Sequence, residues 1–313
     1  MSDGELAWID RLRRVATDPA ARGLDDDAAV LGDLVLTHDT IVEGVHFRAD
    51  DPPASVGWKL VAVNLSDLAA KGAAPLAALL SHSLVGDADW DAAFLRGVAA
   101  ACETYQLPLI GGDTVSLPEG APRVLGLTAI GKGQAHIPSR SGGKVGDRLW
   151  IVGTLGDAMA GLAALDSDAE AEGPLVEAYR RPIPQLVVGA LLAPHADAIM
   201  DVSDGLLLDL SRMMRASGCG ARVDLDALPL SRALIAEAGD RRDTRLAAAT
   251  GGDDYALLAA LPADFDPALS LSLPSGTILV PVGTLVEGGQ LSLFDRDGDV
   301  PLPERLGYEH RRP

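Results

Sequence analysis

The alternation of apolar and polar positions divides the first half of the chain into helices and strands. Apolar residues recur every three or four positions over 53–70 and 89–105, which is the spacing of amphipathic helices. Short apolar runs predict strands: "AAVLGDLVLTHDTIV", which turns at Gly32-Asp33, then "PLAALLSHSLV", "LPLIGGDTV" and "RVLGLTAIGKG". This order of elements predicts a unit built on a four-stranded sheet.

A stretch rich in glycine, serine, proline and lysine, residues 131–147, separates that unit from a second one. Beyond it, the strand "RLWIVG" and the helix "AMAGLAAL" begin a half in which strands and helices again follow one another. A further helical stretch breaks near Pro182 and Pro184. We therefore predict an α/β (α+β) protein of two domains, residues 1–137 and residues 138–313, that meet across a cleft.

Turns that carry acidic residues recur along the chain and are its most informative feature. The stretch "AIMDVSDGLLLDL" runs from an apolar strand into an apolar helix, with Asp201, Ser203 and Asp204 between them. Similar turns read "GLDDDAAVL", "LTHDTIVEGVHF", "VNLSDLAAKG", "LIGGDT" and "TGGDDYALL". Each has a plain explanation, because aspartate and serine cap helices and form tight turns. Asp67 is the exception, since it lies in a nearly apolar helix, where a buried, unpaired carboxylate costs several kcal/mol.

The charge balance limits the partners that the chain can have. It has 26 lysines and arginines against 45 aspartates and glutamates, a net charge of −19. We expect such a chain to repel nucleic acid and anionic membranes. The sequence has two distant cysteines, no hydrophobic core of a secretory signal, and no apolar run of the roughly 18 residues that a membrane span needs. We therefore expect a cytoplasmic protein with free thiols.

A cluster of aspartates indicates a hard cation such as Mg²⁺ rather than zinc. Two like charges about 4 Å apart repel by about 4 kcal/mol at an effective dielectric of 20, so gathered acids need metal to stay ionised. Mg²⁺ commonly binds a few carboxylates together with nucleotide phosphates, which indicates phosphoryl transfer. The chain has no G-x-x-x-x-G-K-[ST] loop and only four lysines, so metal ions must supply most of the positive charge.

Six blocks, taken together and in this order, resemble the thiamine-monophosphate kinase family of the aminoimidazole ribonucleotide synthetase-like ATP-binding superfamily. The blocks are "DDAAVL", "DTIVEGVHF", "VNLSDLAAKGA", "LIGGDT", "DVSDGL" and "GGDDYAL". The resemblance implies an N-terminal α/β domain whose sheet pairs in a homodimer, and a C-terminal α+β domain. It also implies that ATP and thiamine monophosphate are converted to ADP and thiamine diphosphate with several Mg²⁺ ions.

The same resemblance assigns roles to individual residues. The implied metal ligands are Asp27, Thr37, His38 (through its backbone carbonyl), Asp39, Asp67, Asp113, Asp201 and Asp204. The implied ATP contacts are Tyr105, Gly112, Asp113, Arg140 and Ser203. The implied substrate contacts are His46, Asp253 and Arg305. Taken singly, His46 and Tyr105 also fit ordinary structural roles, at a strand end and at a helix end.

The chain departs from the family pattern at four places. Asp25 stands where the family has glycine, and His38 where it has threonine. Asp253 replaces a glutamate and is one methylene shorter. Arg305 or Leu306 stands where an aromatic residue is expected before "GY", so another residue is needed to stack on the thiamine ring.

No general base stands beside the acidic turns, and a phosphate acceptor does not need one. Its second pKa is near 6, so it is largely dianionic at pH 7 and already a nucleophile. This favours direct in-line transfer of the γ-phosphoryl group. Two alternatives remain open from the residues: another ATP-dependent enzyme of the same superfamily, and a non-catalytic protein that binds Mg²⁺ and nucleotide.

Overall fold

The computed structural model describes residues 5–309, so the extreme ends of both predicted domains, 1–4 and 310–313, lie outside it. The first domain contains one mixed sheet in the order β1-β2-β5-β3-β4, in which only β3 and β4 are parallel. Its strands are β1 (Ala29–Leu31), β2 (Leu34–Val42), β3 (Ala74–Leu84), β4 (Leu109–Ser116) and β5 (Val124–Lys132). The sheet has five strands rather than the four expected, because the short strand before the turn at Gly32-Asp33 pairs with β2 at the edge.

Three helices accompany this sheet: α1 (Glu5–Leu12), α2 (Pro53–Ala70) and α3 (Ala88–Thr104). A short 3₁₀ helix, Pro19–Leu24, precedes β1. Almost every residue of α2 is buried, because the helix packs on the first sheet, on α3 and on the second domain. A helix that is covered on all sides carries apolar residues all round, which explains its sequence.

The second domain is built on a seven-stranded sheet in the order β12-β11-β8-β10-β6-β9-β7. Its strands are β6 (Arg148–Val152), β7 (Ala198–Val202), β8 (Gly220–Asp224), β9 (Ala256–Leu261), β10 (Leu279–Val286), β11 (Leu291–Asp295) and β12 (Gly298–Val300). Its helices are α4 (Asp157–Ser167), α5 (Pro174–Arg180), α6 (Leu186–Leu192), α7 (Leu206–Ser217), α8 (Arg232–Ala238), α9 (Arg242–Thr250) and α10 (Pro267–Ser270). The two-domain architecture is confirmed, and the helix break falls between α5 and α6 as expected.

The stretch between the domains is fixed in place rather than free. The Gln134 side chain donates to the carbonyl oxygens of Gly72 (3.2 Å) and Ala190 (2.7 Å). Arg22 donates to the carbonyl oxygens of Ile137 and Pro138, both at 2.9 Å. The stretch between the domains is therefore hydrogen-bonded to both of them. The domain boundary at 137/138 stays a prediction. No helix within 5–309 is both long and apolar enough to cross a membrane.

Helices α2 and α3 approach each other through two glycines. A Cβ atom on Gly57 would lie 2.3 Å from the Phe94 carbonyl oxygen, and one on Gly97 would lie 1.9 Å from the Ala54 carbonyl oxygen. Backbone atoms cannot move aside as a flexible side chain can. This contact therefore fixes the position of α2 against α3.

We expect Gly97→Ala to lower the free energy of unfolding by about 1–3 kcal/mol, because the added methyl group forces the two helices apart. Urea titration of the purified variant measures this. Gly289→Ala is the matched control, since a Cβ there meets nothing within 4 Å. Equal stability of the two variants would contradict the close helix contact.

Candidate functional site

A cavity of about 510 Å³ lies between the two domains, and residues of both form its wall. Of the residues predicted to form the site, it brings together Asp39, His46, Asp67, Asp201, Ser203, Asp204 and Asp253. They come from β2, the turn after it, α2, the end of β7 and the loop before β9. Acids that are far apart in the sequence therefore meet in space, as the recurring acidic turns predict.

Alternation along β2 turns Thr37 and Asp39 towards α2. The Thr37 hydroxyl donates to Asp67, and the Asp39 amide donates to the Asn64 side-chain oxygen at 3.0 Å. Asn64 and Asp67 are three residues apart on α2 and therefore share one face of the helix. The apolar helix thus carries its polar residues where β2 and the second domain meet it.

The second domain supplies its acids where β7 ends and α7 begins. Asp201 accepts a hydrogen bond from the Ser66 hydroxyl of α2 at 2.8 Å. The helix-capping explanation for this turn is wrong, because no side chain caps α7. Asp209 of the first turn instead accepts from the amides of Ser203 (3.1 Å) and Asp204 (3.0 Å). The Asp209 carboxylate thus stabilises the turn, and the side chain of Asp201 has no capping role.

Burial and mutual repulsion raise the pKa of the central acids. Burial raises the pKa of Asp39 to about 6, with a further contribution from Asp27 and Asp204. Burial and neighbouring acids raise the pKa values of Asp67 and Asp201 well above the ordinary value. Within residues 5–309, no three acidic, histidine or cysteine side chains already form a metal-binding group. The acids surround the cavity instead, so water or phosphate oxygens are needed to complete a coordination shell.

Asp26 and Asp27 lie behind the cavity in a network of ion pairs. Lys71, fully buried at the end of α2, contacts Asp26 at 2.5 Å and Asp27 at 2.8 Å. Burial alone would raise the pKa of Asp26, but Lys71 and Arg22 outweigh it and lower it to about 2. Arg140 pairs with Asp27, and its amide donates to Asp26 at 3.1 Å. Asp27, a predicted metal ligand, and Arg140, a predicted ATP contact, are therefore paired with each other.

Lys71 received no role from the sequence, and neither did Lys59 or Tyr308. A lysine at the end of an apolar helix, in "LAAKGAAP", was the available signal for Lys71. Lys59 pairs with Asp253 at 2.8 Å, across the domain boundary. Tyr308 lines the cavity, and its amide donates to the Asp204 carbonyl oxygen at 2.9 Å. The described wall of the cavity includes Tyr308 and does not include Arg305, which is exposed.

Asp113 and Gly112 are not brought to this cavity. Their strand, β4, is separated from β2 by β5 and β3, a distance of roughly 14 Å at the usual strand spacing. Asp113 pairs in register with Ser81 and lines a second groove, of about 400 Å³, together with His38. The side chain of His38 bonds to Thr128 at 2.9 Å on this face, away from Asp39. Any contact of Asp113 with a ligand is therefore made outside the central cluster.

Tyr105 also lies away from the cavity. It follows α3, and its ring packs edge-on against Trp58 with the ring centroids 5.6 Å apart. Burial raises the pKa of its hydroxyl to about 12. The structure thus places Tyr105, partly buried, against the core at a helix end, and its predicted contact with ATP stays a prediction.

Comparison with known proteins matches both domains to family models. The N-terminal domain of AIR synthase related protein matches residues 25–132, and the C-terminal domain matches residues 144–296. A thiamine-monophosphate kinase of Caulobacter vibrioides is 39% identical over 98% of this chain and 90% of its own length. One from Salmonella typhimurium is 38% identical over 99% of both chains. The chain belongs to the thiamine-monophosphate kinase family.

Solved structures of the same family have the same fold. The thiamine-monophosphate kinase of Stenotrophomonas maltophilia is 38% identical, with a TM-score of 0.77 over 96% of this chain and 99% of that one. The structure named AaThiL complexed with AMPPCP and TMP is 30% identical, with a TM-score of 0.84 over 98% and 97% of the two chains. A hydrogenase maturation protein, HypE of E. coli, at 21% identity and a TM-score of 0.70, shows the fold alone.

The raised pKa values predict how stability depends on pH without metal. The folded protein binds more protons at Asp39, Asp67 and Asp201 than the unfolded chain does, so stability falls as the pH rises above about 4 and through their folded pKa values. In EDTA we expect a lower Tm at about pH 8 than at about pH 5. Asp67→Asn removes one repelling charge and should reduce this difference, as differential scanning fluorimetry across pH would show.

Asp264→Asn is the control for this measurement, because it makes the same chemical change on an exposed loop. It should keep the pH dependence of the parent protein. A Tm that rises towards pH 8 in both the parent protein and Asp67→Asn would contradict the repulsion among the buried acids.

Proposed function

We propose that this chain catalyses the ATP-dependent phosphorylation of thiamine monophosphate to thiamine diphosphate, by in-line γ-phosphoryl transfer assisted by several Mg²⁺ ions. The observation that carries the proposal is the cluster of buried acids from both domains around one cavity, with pKa values raised by burial and by mutual repulsion. Family membership supports the same reaction, as does the relative whose structure is named as a complex with AMPPCP and TMP.

The donor atoms present suit Mg²⁺. They are carboxylate and hydroxyl oxygens, with no cysteine and no pair of histidines among them. The residues that would hold the ions are Asp27, Thr37, Asp39, Asp67, Asp201 and Asp204. Bound there, Mg²⁺ would supply the positive charge that cancels repulsion between the acids and two phosphate groups. Oδ2 of Asp27 is buried and lies 2.8 Å from the Lys71 ammonium, which leaves a further lone pair of this oxygen for a cation.

The cavity wall offers two kinds of contact, because acids and the side chains of Met159, Leu162 and Tyr179 all line it. We propose that the two reacting phosphates lie against the acids and that the organic part of thiamine monophosphate lies against Met159, Leu162 and Tyr179. The acceptor phosphate is dianionic near pH 7 and needs no base, so the chain's task is to align it and exclude water. Ser203 lines the cavity and Arg140 pairs with Asp27 behind it; these two are the nucleotide contacts that we propose.

The direct test uses purified protein, MgATP and thiamine monophosphate, with chromatographic detection of thiamine diphosphate. We expect product from the parent protein and at least a ~100-fold lower rate from Asp67→Asn, which removes a central charge while keeping the shape of the side chain. Asp264→Asn should retain full activity. Nucleotide binding without product in the parent protein would instead favour the non-catalytic alternative, and product from a different acceptor would favour another enzyme of the superfamily.

We further propose a cytoplasmic homodimer formed through the first sheet. Every residue of the edge strand β4 is exposed. Large apolar side chains on β3 and β4 face solvent, namely Leu76, Leu79, Leu109, Ile110 and Val115. An uncovered edge strand with an apolar surface promotes association. A second copy on this face would also enclose the groove that holds Asp113 and His38, where their predicted ligand contacts would then be made.

We expect Ile110→Asp to convert the dimer to a monomer, because a carboxylate would be buried between two copies. Sedimentation velocity or size-exclusion chromatography with light scattering measures the mass. Val187→Asp on α6 is the matched control, because Val187 is 61% exposed and Ile110 is 62% exposed. A monomeric parent protein, or a dimer that Val187→Asp disrupts and Ile110→Asp does not, would contradict this interface.

A further inference from the structure

We infer that Lys59 is a positioning residue for the substrate contacts of the cavity, acting through Asp253. The inference rests on the proposed function and assigns a role in it to a residue that the sequence left without one. Lys59 is 2% exposed and lies on α2, behind the cavity wall. Its effect on a ligand must therefore pass through the residues that it contacts.

Three contacts converge on the Lys59 ammonium. Nζ lies 2.8 Å from Oδ2 of Asp253 and 3.1 Å from the His46 carbonyl oxygen. It also lies 4.1 Å from the centroid of the Tyr179 ring, within the range of a cation–π contact. His46, Tyr179 and Asp253 all line the cavity. One buried cation thus joins three separate segments of the wall.

Asp253 needs such support because its backbone is held in an unusual conformation. Its φ is +70° and that of Tyr255 is +50°, in the left-handed region that non-glycine residues seldom adopt. The Asp253 amide bonds to the Ser203 carbonyl oxygen at 2.8 Å, so the loop is fixed next to the acidic turn. The Tyr255 hydroxyl donates to Oδ1 of Asp253 at 3.0 Å, while Lys59 holds Oδ2. The two hydrogen bonds therefore fix the orientation of the Asp253 carboxylate.

The ion pair also determines what charge the substrate meets. Without Lys59, Asp253 would add another unpaired carboxylate to a cavity that already contains Asp39, Asp67 and Asp201, and a phosphate monoester would be repelled. With Lys59 the pair is neutral overall and still offers hydrogen-bond acceptors. We therefore expect Lys59 to determine the KM for thiamine monophosphate and to affect the KM for ATP much less.

A double-mutant cycle with Lys59→Met, Asp253→Asn and the double variant tests this role. We expect Lys59→Met alone to raise the KM for thiamine monophosphate about tenfold or more, with the KM for ATP changed less than about threefold. In the Asp253→Asn background the same substitution should add little, because the group through which it acts is already altered. Isothermal titration calorimetry with thiamine monophosphate gives the Kd of the same four proteins, and so repeats the double-mutant cycle without turnover.

Lys132→Met is the control, since it removes a lysine whose ion pair is exposed on β5, and it should leave both KM values unchanged. Lys59→Arg keeps the charge and should recover part of the affinity. The inference is overturned if Lys59→Met raises both KM values equally, or if its effect is the same with and without Asp253. Absence of product from the parent protein would reject the proposed function itself, and thiamine monophosphate binding would then decide the role of Lys59.

Discussion

Electrostatic repulsion among buried carboxylates is the constraint on which the rest of this structure depends. Two domains place Asp39, Asp67 and Asp201 around one cavity, where burial and mutual repulsion raise their pKa values. The protein neutralises the surrounding acids with its own cations: Lys71 and Arg22 at Asp26, Lys59 at Asp253, and Arg212 at Asp204. The central three have no such partner among the described residues, so their charge can be balanced only by an external cation or a proton.

Helix α2 makes this arrangement possible because it is enclosed on every side. Glycine contacts with α3 fix it, and it also packs on α6 and β7 of the second domain. One rigid element therefore carries Asp67 and Lys59, with Lys71 at its end. The two lysines are twelve residues apart, roughly 18 Å along a helix, so each neutralises an acid at a different end of the site.

Sequence patterns predicted the parts of the structure that depend on local order. Apolar periodicity predicted α2, a short apolar run predicted β2, and the apolar neighbours of Asp67 marked it as a candidate functional residue. The ion pairs could not be predicted in this way, because Lys59 and Asp253 are 194 residues apart. Helix α9 was missed since its first half, "RDTR", is polar and lacks apolar periodicity. The separation of Asp113 from the cluster depends on strand order, which no local pattern reveals.

The bonds across the domain boundary restrict how molecules enter and leave the cavity. Trp58 donates to the Pro182 carbonyl oxygen at 3.2 Å, Ser66 to Asp201 at 2.8 Å, and Lys71 to the Ile199 carbonyl oxygen at 3.1 Å. Swinging the domains apart would break all three of these bonds, two of which are buried. Exchange of ligands through rearrangement of rim segments, such as the one that carries Tyr308, requires far less disruption. The bonds between the domains therefore favour ligand exchange at the rim of the cavity over separation of the domains.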